Sequence, residues 1–326
     1  MPCIETADVL KHDCVGPGLY ELALSAPQIA SATAPGQFVH MHVRPAWTGQ
    51  RPSSAQGQPQ PRAQPLLRRP FSISGADSNA NGSITILYKV RGAGTQLLTS
   101  VRPGDRLDVM GPLGKGFTLP ESPPQRQSQS QPQSQSRPAP EPELRPQRQQ
   151  PARSPHALLV GGGLGIAPLV FLANTLARNG HSATVFYGAN TAGEMQSALR
   201  RLNASGPGSI QVFTTTLDGS AGLAGIVTDL LTAAPSAAEL GDIDFVYACG
   251  PEPMMAAVEQ FAAARRIPGE MSLEIALACG VGACLGCARR LKAAPEASPV
   301  YARVCKDGPV FSFGHVELNL AACGEE

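Results

Sequence analysis

The sequence has little charge of either sign. Charged residues make up 16% of its 326 residues and the net charge is +1. A chain so close to neutral offers no broad basic surface to nucleic acid or anionic lipid, which leaves small molecules and protein partners as its ligands. The N-terminus, Met1-Pro2-Cys3-Ile4-Glu5, lacks the basic stretch and apolar run of a secretory signal, and the chain is read as cytoplasmic. Long apolar runs are scarce. Only residues 157–177 are long and apolar enough to raise the question of a membrane span, and their glycine cluster and Pro168 fit a strand, a tight turn and a helix better. No Ser-His-Asp or carboxylate-pair arrangement stands out, so hydrolytic chemistry is unsupported and no residue is assigned as a catalytic acid or base. In a reducing compartment the eight cysteines do not read as a disulfide framework.

What is present falls into parts. Single domains usually hold about 100 to 200 residues, so this length allows two or three units. Residues 49–64 and 120–155 are rich in Gln, Pro and Ser and cannot bury enough surface to offset the entropy of ordering them. The first reads as an insertion within a domain and the second as a linker between domains. Residues 1–119 carry short alternating runs, such as Gln37-Phe38-Val39-His40-Met41 and Ser83-Ile84-Thr85-Ile86-Leu87, broken by Pro and Gly turns. This pattern predicts a small antiparallel β-barrel. Residues 156–268 alternate buried-looking strands with helical patterns and predict an open parallel α/β sheet. Residues 269–326 hold four clustered cysteines and too little core to stand alone, so a metal centre would supply what packing does not.

The strongest motif is Cys279-x4-Cys284-x2-Cys287 followed by Cys305. Three thiolates on a loop containing Gly280, Gly282 and Gly286 can wrap one side of a two-iron cluster, and a distant fourth closes it. The competing readings are a structural zinc site and chance clustering, but zinc sites more often use two short Cys pairs than a triplet and an outlier. Arg69-Pro70-Phe71-Ser72 combines a planar guanidinium suited to phosphate with a hydroxyl that can reach a flavin ring nitrogen; the plain alternative is an edge strand. Leu87-Tyr88-Lys89 ends a strand, and Gly92-Ala93-Gly94-Thr95 opens a helix whose amides can hold a pyrophosphate or simply cap a turn. Gly161, Gly163 and Gly165 lie in a strand-to-helix turn suited to a dinucleotide, although the spacing departs from G-x-G-x-x-G and no acidic residue follows about 20 positions on. Cys249 and Gly250 lie just past another strand, where Cys249 either faces a nicotinamide ring or is a small buried residue. Cys3, Cys14 and Cys323 read as bystanders, and His40 and His42 as ordinary barrel residues.

Taken in this order, these pieces resemble the ferredoxin-NADP reductase superfamily, and within it the electron-transfer subunits of the class 1B dihydroorotate dehydrogenases. The most specific parts are Arg69-Pro70-Phe71-Ser72, Leu113-Gly114-Lys115-Gly116-Phe117, residues 278–287 and residues 304–311. The resemblance implies an FAD-binding β-barrel, an NAD-binding α/β domain and a small C-terminal [2Fe-2S] module. Arg69, Pro70, Phe71, Ser72, Leu87, Tyr88, Lys89, Gly94 and Thr95 would bind FAD. Gly161, Gly163, Gly165, Cys249 and Gly250 would lie on the nicotinamide side, and Cys279, Cys284, Cys287 and Cys305 would hold the cluster. Asp218-Gly219-Ser220 matches a family segment without an assigned role. The implied partner is an FMN-containing catalytic subunit in a two-plus-two heterotetramer. Electrons from dihydroorotate would pass through cluster and FAD to NAD+ in pyrimidine biosynthesis. The alternatives are a reductase serving a hydrogenase or sulfur-reducing enzyme, and a zinc-bound interaction module.

Overall fold

The computed structural model describes residues 2–43, 67–78, 82–120, 154–203, 210–233, 242–293 and 298–320. The 49–64 tract, residues 121–153 of the second tract, and Cys323 lie outside the described residues. Six strands close an antiparallel barrel: β1 (Cys3–Gly16), β2 (Leu19–Ser25), β3 (Phe38–His42), β4 (Arg69–Asp77), β5 (Ser83–Lys89) and β6 (Arg106–Leu113), in the order β1-β2-β5-β4-β3-β6. Alternation drives this closure. Leu22 and Leu24, Ile84 and Ile86, and Leu107 and Val109 each point inward at period two and are almost fully buried. Two short helices, α1 (Pro27–Ala32) and α2 (Ala93–Leu98), lie beside the barrel.

The second body is a seven-stranded sheet flanked by helices. It comprises β7 (His156–Gly162), α3 (Ile166–Arg178), β8 (Ser182–Ala189), α4 (Ala192–Asn203), β9 (Ile210–Thr216), β10 (Leu223–Ala224), α5 (Asp229–Ala233), β11 (Phe245–Cys249), α6 (Glu252–Arg265) and β12 (Gly269–Ser272). The β7 run Ala157-Leu158-Leu159-Val160 is buried on both faces, which is what a central strand of a covered parallel sheet requires. Residues 157–177 are thus strand, 3-10 turn and helix, and among the described residues no helix is long and apolar enough to cross a membrane.

The C-terminal segment adds a hairpin of β13 (Ala288–Arg290) and β14 (Tyr301–Arg303), helix α7 (Val304–Asp307) and strand β15 (Val310–Ser312). The sheet order is β10-β9-β8-β7-β11-β12-β15, with β15 antiparallel to β12. The sequence pattern starts a C-terminal module at Gly269; in the structure β12 begins there, and β12 and β15 extend the sheet. The cysteine-bearing loop therefore leaves and rejoins the nucleotide-type sheet and shares its core: Cys287, Val304 and Cys305 are buried with Met254, Met271 and Phe311. This sharing supplies the hydrophobic support that the segment lacks by itself.

Barrel and sheet are locked together. Phe171 of α3 is buried among barrel side chains. Lys89 Nζ pairs with Glu194 at 2.6 Å, and Arg201 with Glu21 at 2.8 Å. The Thr118 amide and hydroxyl both donate to Glu270, each at 2.8 Å, while Tyr247 donates to the Thr118 carbonyl. The last residues before the 121–153 tract are thereby tied to β12, which sets the orientation of the two bodies at their junction.

Candidate functional site

Two cavities meet where barrel, sheet and cysteine loop come together. The first, about 560 Å³, is walled by Phe38, Ser72 and Leu87 from the barrel, Leu164 and Ala167 from the start of α3, and residues 272–277. The second, about 780 Å³, lies at the C-terminal ends of β7, β8, β9 and β11, along Gly162, Ala189, Thr215 and Gly250. Ligands of open α/β sheets gather at that edge. Arg91, Leu164 and Glu274 line both cavities, so a ring bound in one lies next to a ring bound in the other.

Within the flavin-type motif, strand pleat sorts the residues. Ser72 pairs with Phe38 across β3 and β4 and lines the first cavity, as do Pro70 and Phe71. Phe71 also packs edge-on to Tyr88 at 5.8 Å. Arg69 reaches back to the carbonyls of Leu67 and Arg68, at 2.8 and 3.2 Å, and its guanidinium lies against Gly94, where a Cβ would stand 3.1 Å from Nε. A cation is thus seated beside the backbone at the start of α2. Leu87 lines the cavity, but its neighbours do not. The Tyr88 side chain is buried in the barrel with its hydroxyl 2.9 Å from His12 Nε2, and Lys89 is held by Glu194. Thr95 caps its own helix: its hydroxyl accepts from the Arg91 and Gly92 amides and donates to the Gly92 carbonyl.

The glycine turn and the Cys249 segment touch each other. A Cβ on Gly165 would stand 2.3 Å from the Cys249 carbonyl oxygen, so only glycine lets the turn pack against the end of β11. Gly163 takes φ +54. Gly162, Gly163 and Gly250 form the cavity wall, whereas Cys249 itself is 1% exposed. Its sulfur lies 4.0 Å from Glu274 Oε1. Burial, reinforced by the Glu274 charge, pushes the Cys249 thiol well above its ordinary range, so it stays protonated. Burial likewise pushes the Glu274 carboxyl up, with Arg91 pulling it back down. Sequence reasoning missed Glu274. The available signal was a lone acidic residue in the otherwise apolar run Leu273-Glu274-Ile275-Ala276-Leu277.

The four clustered thiols stand as two pairs. Cys287 and Cys305 are buried, with their sulfurs 3.3 Å apart, and the Gly282 amide donates to the Cys305 sulfur at 3.0 Å. Cys279 is half-buried and Cys284 exposed. The amides of Cys284 and Val281, helped by Ala283, hold the Cys279 thiol down to about 6. Burial and the adjacent Cys287 push Cys305 up to about 12. Among the described residues no three His, Cys, Asp or Glu side chains converge on one point, as a single ion would require. Two thiol pairs with amides aimed at sulfur are a donor set that could hold a two-iron centre, since the donors are all sulfur as that centre demands. The loop conformation is costly. Gly280 and Gly282 take φ +71 and +81, which glycine adopts freely, but Leu285 takes φ +59, a strained value for its side chain, between Cys284 and Cys287.

Comparisons with known proteins agree with this geometry. Residues 274–317 match a family described as the iron-sulfur cluster binding domain of dihydroorotate dehydrogenase B, and residues 159–260 match an oxidoreductase NAD-binding domain. The chain is similar to the "Dihydroorotate dehydrogenase B (NAD(+)), electron transfer subunit" of Geobacillus sp. (strain WCH70), at 35% identity over 96% of this chain and 98% of that protein. It is similar to the protein of the same name from Streptococcus pneumoniae, at 34% identity over 97% and 99%. Among solved structures, an NADH-dependent reduced ferredoxin-NADP oxidoreductase shares the fold with a TM-score of 0.70 at 23% identity, covering 96% of this chain and 90% of that one. A ferredoxin NADP+ reductase from Neisseria gonorrhoeae, with bound FAD and NADP, does so with a TM-score of 0.53 at 15% identity, covering 80% and 91%.

Proposed function

Since the chain belongs to the family of electron transfer subunits of dihydroorotate dehydrogenase B (NAD(+)), we propose that its two cavities and its cysteine loop form one electron path. The protein is an oxidoreductase that uses NAD and holds FAD and a [2Fe-2S] cluster. The observation that carries the assignment of sites is the segment 272–279. It walls the first cavity, places Glu274 in both cavities, and runs directly into Cys279. When bound, the cluster supplies one-electron transfer and the FAD the two-electron exchange with nicotinamide.

The roles of individual residues follow from where they stand. Ser72 and the apolar walls Phe38 and Leu87 hold the flavin ring in the first cavity, with Arg69 beside Gly94 as the phosphate clamp. Gly162, Gly163 and Gly250 let the backbone approach the nucleotide in the second cavity. Arg91 and Leu164 form the partition that sets the approach of the two rings. The neutral Cys249 thiol backs the buried Glu274 carboxyl, which lies where a nicotinamide ring meets the flavin. Cys279, Cys284, Cys287 and Cys305 are the cluster ligands. In terms of domains, residues 1–119 serve the flavin, 156–268 the nucleotide and 269–326 the cluster, with 120–155 joining the first two.

The family name implies a catalytic partner. We place its docking face on the exposed side of the cysteine loop, where Cys284, Val281 (46% exposed) and Leu285 (61%) lie together in sequence around the outer thiol pair. The partner is proposed to carry FMN and to assemble with this chain two plus two. A reducing cytoplasm suits a site that needs four free thiolates. Reconstitution tests the whole reading. Dihydroorotate should reduce NAD+ only when this chain, loaded with flavin, iron and sulfide, is combined with an FMN-bearing catalytic chain, and Cys305→Ser should abolish the coupling. A fully loaded complex that reduces NAD+ equally well without dihydroorotate or with Cys305→Ser would refute it.

A further inference from the structure

His40 is fully buried in β3, where it pairs with Pro70 of β4 on one side and Met110 of β6 on the other. It therefore sits one strand away from the flavin motif. A buried imidazole is normally hydrogen-bonded, because a buried donor without a partner bears the full cost of its lost hydration. Even the half-buried His12 is satisfied, with Nδ1 2.9 Å from the Val101 carbonyl and Nε2 2.9 Å from the Tyr88 hydroxyl. His40 departs from the rule: neither ring nitrogen has a partner at full hydrogen-bond geometry, and only the Arg68 and Cys279 backbones lie near enough to favour its proton.

What faces the orphaned ring is the cysteine loop. A Cβ on Gly280 would stand 2.5 Å from His40 Nδ1, so the loop approaches the barrel at this point as closely as a glycine allows. The backbone groups that face the ring belong to Arg68, which precedes the flavin motif, and to Cys279, the first of the cluster cysteines. Gly280 at φ +71 is committed to this approach in both conformation and space.

We propose that His40 donates a ring N–H to the sulfur shell of the cluster on its Cys279 side and thereby raises the cluster's reduction potential. The inference rests on the cluster assignment above. Its physical basis is that the reduced cluster carries one more negative charge than the oxidised one, so an N–H aimed at its sulfur stabilises the reduced form more. His40 acts through the cluster's surroundings and is a positioning residue, not a catalytic one.

The test uses the full chain, loaded anaerobically and combined with its catalytic partner. With histidine labelled in 15N, pulsed paramagnetic resonance of the dithionite-reduced complex should show a 15N coupling that disappears in His40→Gln. A redox titration should show a roughly tenfold loss in the cluster's reduction equilibrium for His40→Leu, about 59 mV for one electron, while His40→Gln, which keeps an N–H donor, stays near the parent value. Iron and sulfide contents check that the clusters are equivalent. A cluster-bearing parent without histidine coupling, or a loaded His40→Leu with unchanged potential, overturns the proposal. Should His40→Leu fail to hold a cluster, the labelled parent decides alone. A parent chain with no cluster signal at all overturns the function reading as well, which separates the two failures.

Discussion

The outer and inner thiol pairs come from one short motif, yet the fold treats them oppositely. Cys279 is acidified by the amides of its own loop, a local effect of a turn built with left-handed glycines. Cys305 arrives from 18 residues beyond Cys287 and is buried against it, so its thiol is pushed up. Cys279 ionises near neutral pH, and the exposed Cys284 beside it faces the surface. Cys305 stays protonated at neutral pH, and with Cys287 it is anchored in the core shared with the sheet. The lesson is that one cysteine motif can be given a solvent side by its loop backbone and a core side by long-range packing.

The sharpest way to break that contrast is to remove one sulfur from each pair. Cys305→Ser should lose all iron and sulfide, whereas Cys284→Ser should retain a fraction with an altered resonance spectrum; equal losses would mean the pairs are equivalent. Next in size is added bulk on the loop. Gly280→Ala meets the buried His40 ring and adds about 1–3 kcal/mol of overpacking to the backbone strain. Gly282→Ala meets only the flexible Lys306 stem and costs about 1–2 kcal/mol of strain. Thermal melts of the two loaded variants check the order, and Gly282→Ala melting lower would contradict it.

Leu285→Asp should weaken partner binding by about 2 kcal/mol, roughly thirtyfold, if Leu285 anchors the interface. Flavin reduction by NADH should be unchanged, and the loop should not suffer, because Asp accepts a left-handed φ more readily than Leu. The smallest effect is a pH profile on the cluster-free chain. Cys279 has a folded value of about 6, below its ordinary value of 9.0, so its thiolate should form and alkylation accelerate as pH rises through about 6. Cys305, raised to about 12, should stay unreactive across the same range. Mass-mapped alkylation that finds both cysteines titrating together would erase the distinction.

Much of the fold and of the site is legible in the order of the residues. The barrel strands show period-two alternation, β7 is a continuous apolar run into a glycine turn, and the cysteine spacing is a local pattern on one loop. The side chains whose surroundings the sequence does not show are those that meet partners from far along the chain. Tyr88 and Lys89 share a strand with Leu87, but the pleat turns Tyr88 into the barrel and α4 supplies Glu194 to Lys89. Thr95 has the composition of a ligand contact and spends its hydroxyl on its own helix cap. His40 reads as any barrel histidine, because nothing within strand range shows that Gly280 will lie against it.

The sequence alone determined the family, the order of the parts and the class of chemistry, since thiolate spacing, glycine turns and strand periodicity act over a few residues. Tertiary structure decided the rest: which thiols pair, that Glu274 borders both cavities, that Cys249 is sealed behind it, and that β12 and β15 carry the cysteine loop into the sheet. Those facts depend on contacts between segments up to 240 positions apart, as His40 and Gly280 are. Such contacts are set by the packing of whole layers, and no local pattern of side chains encodes them.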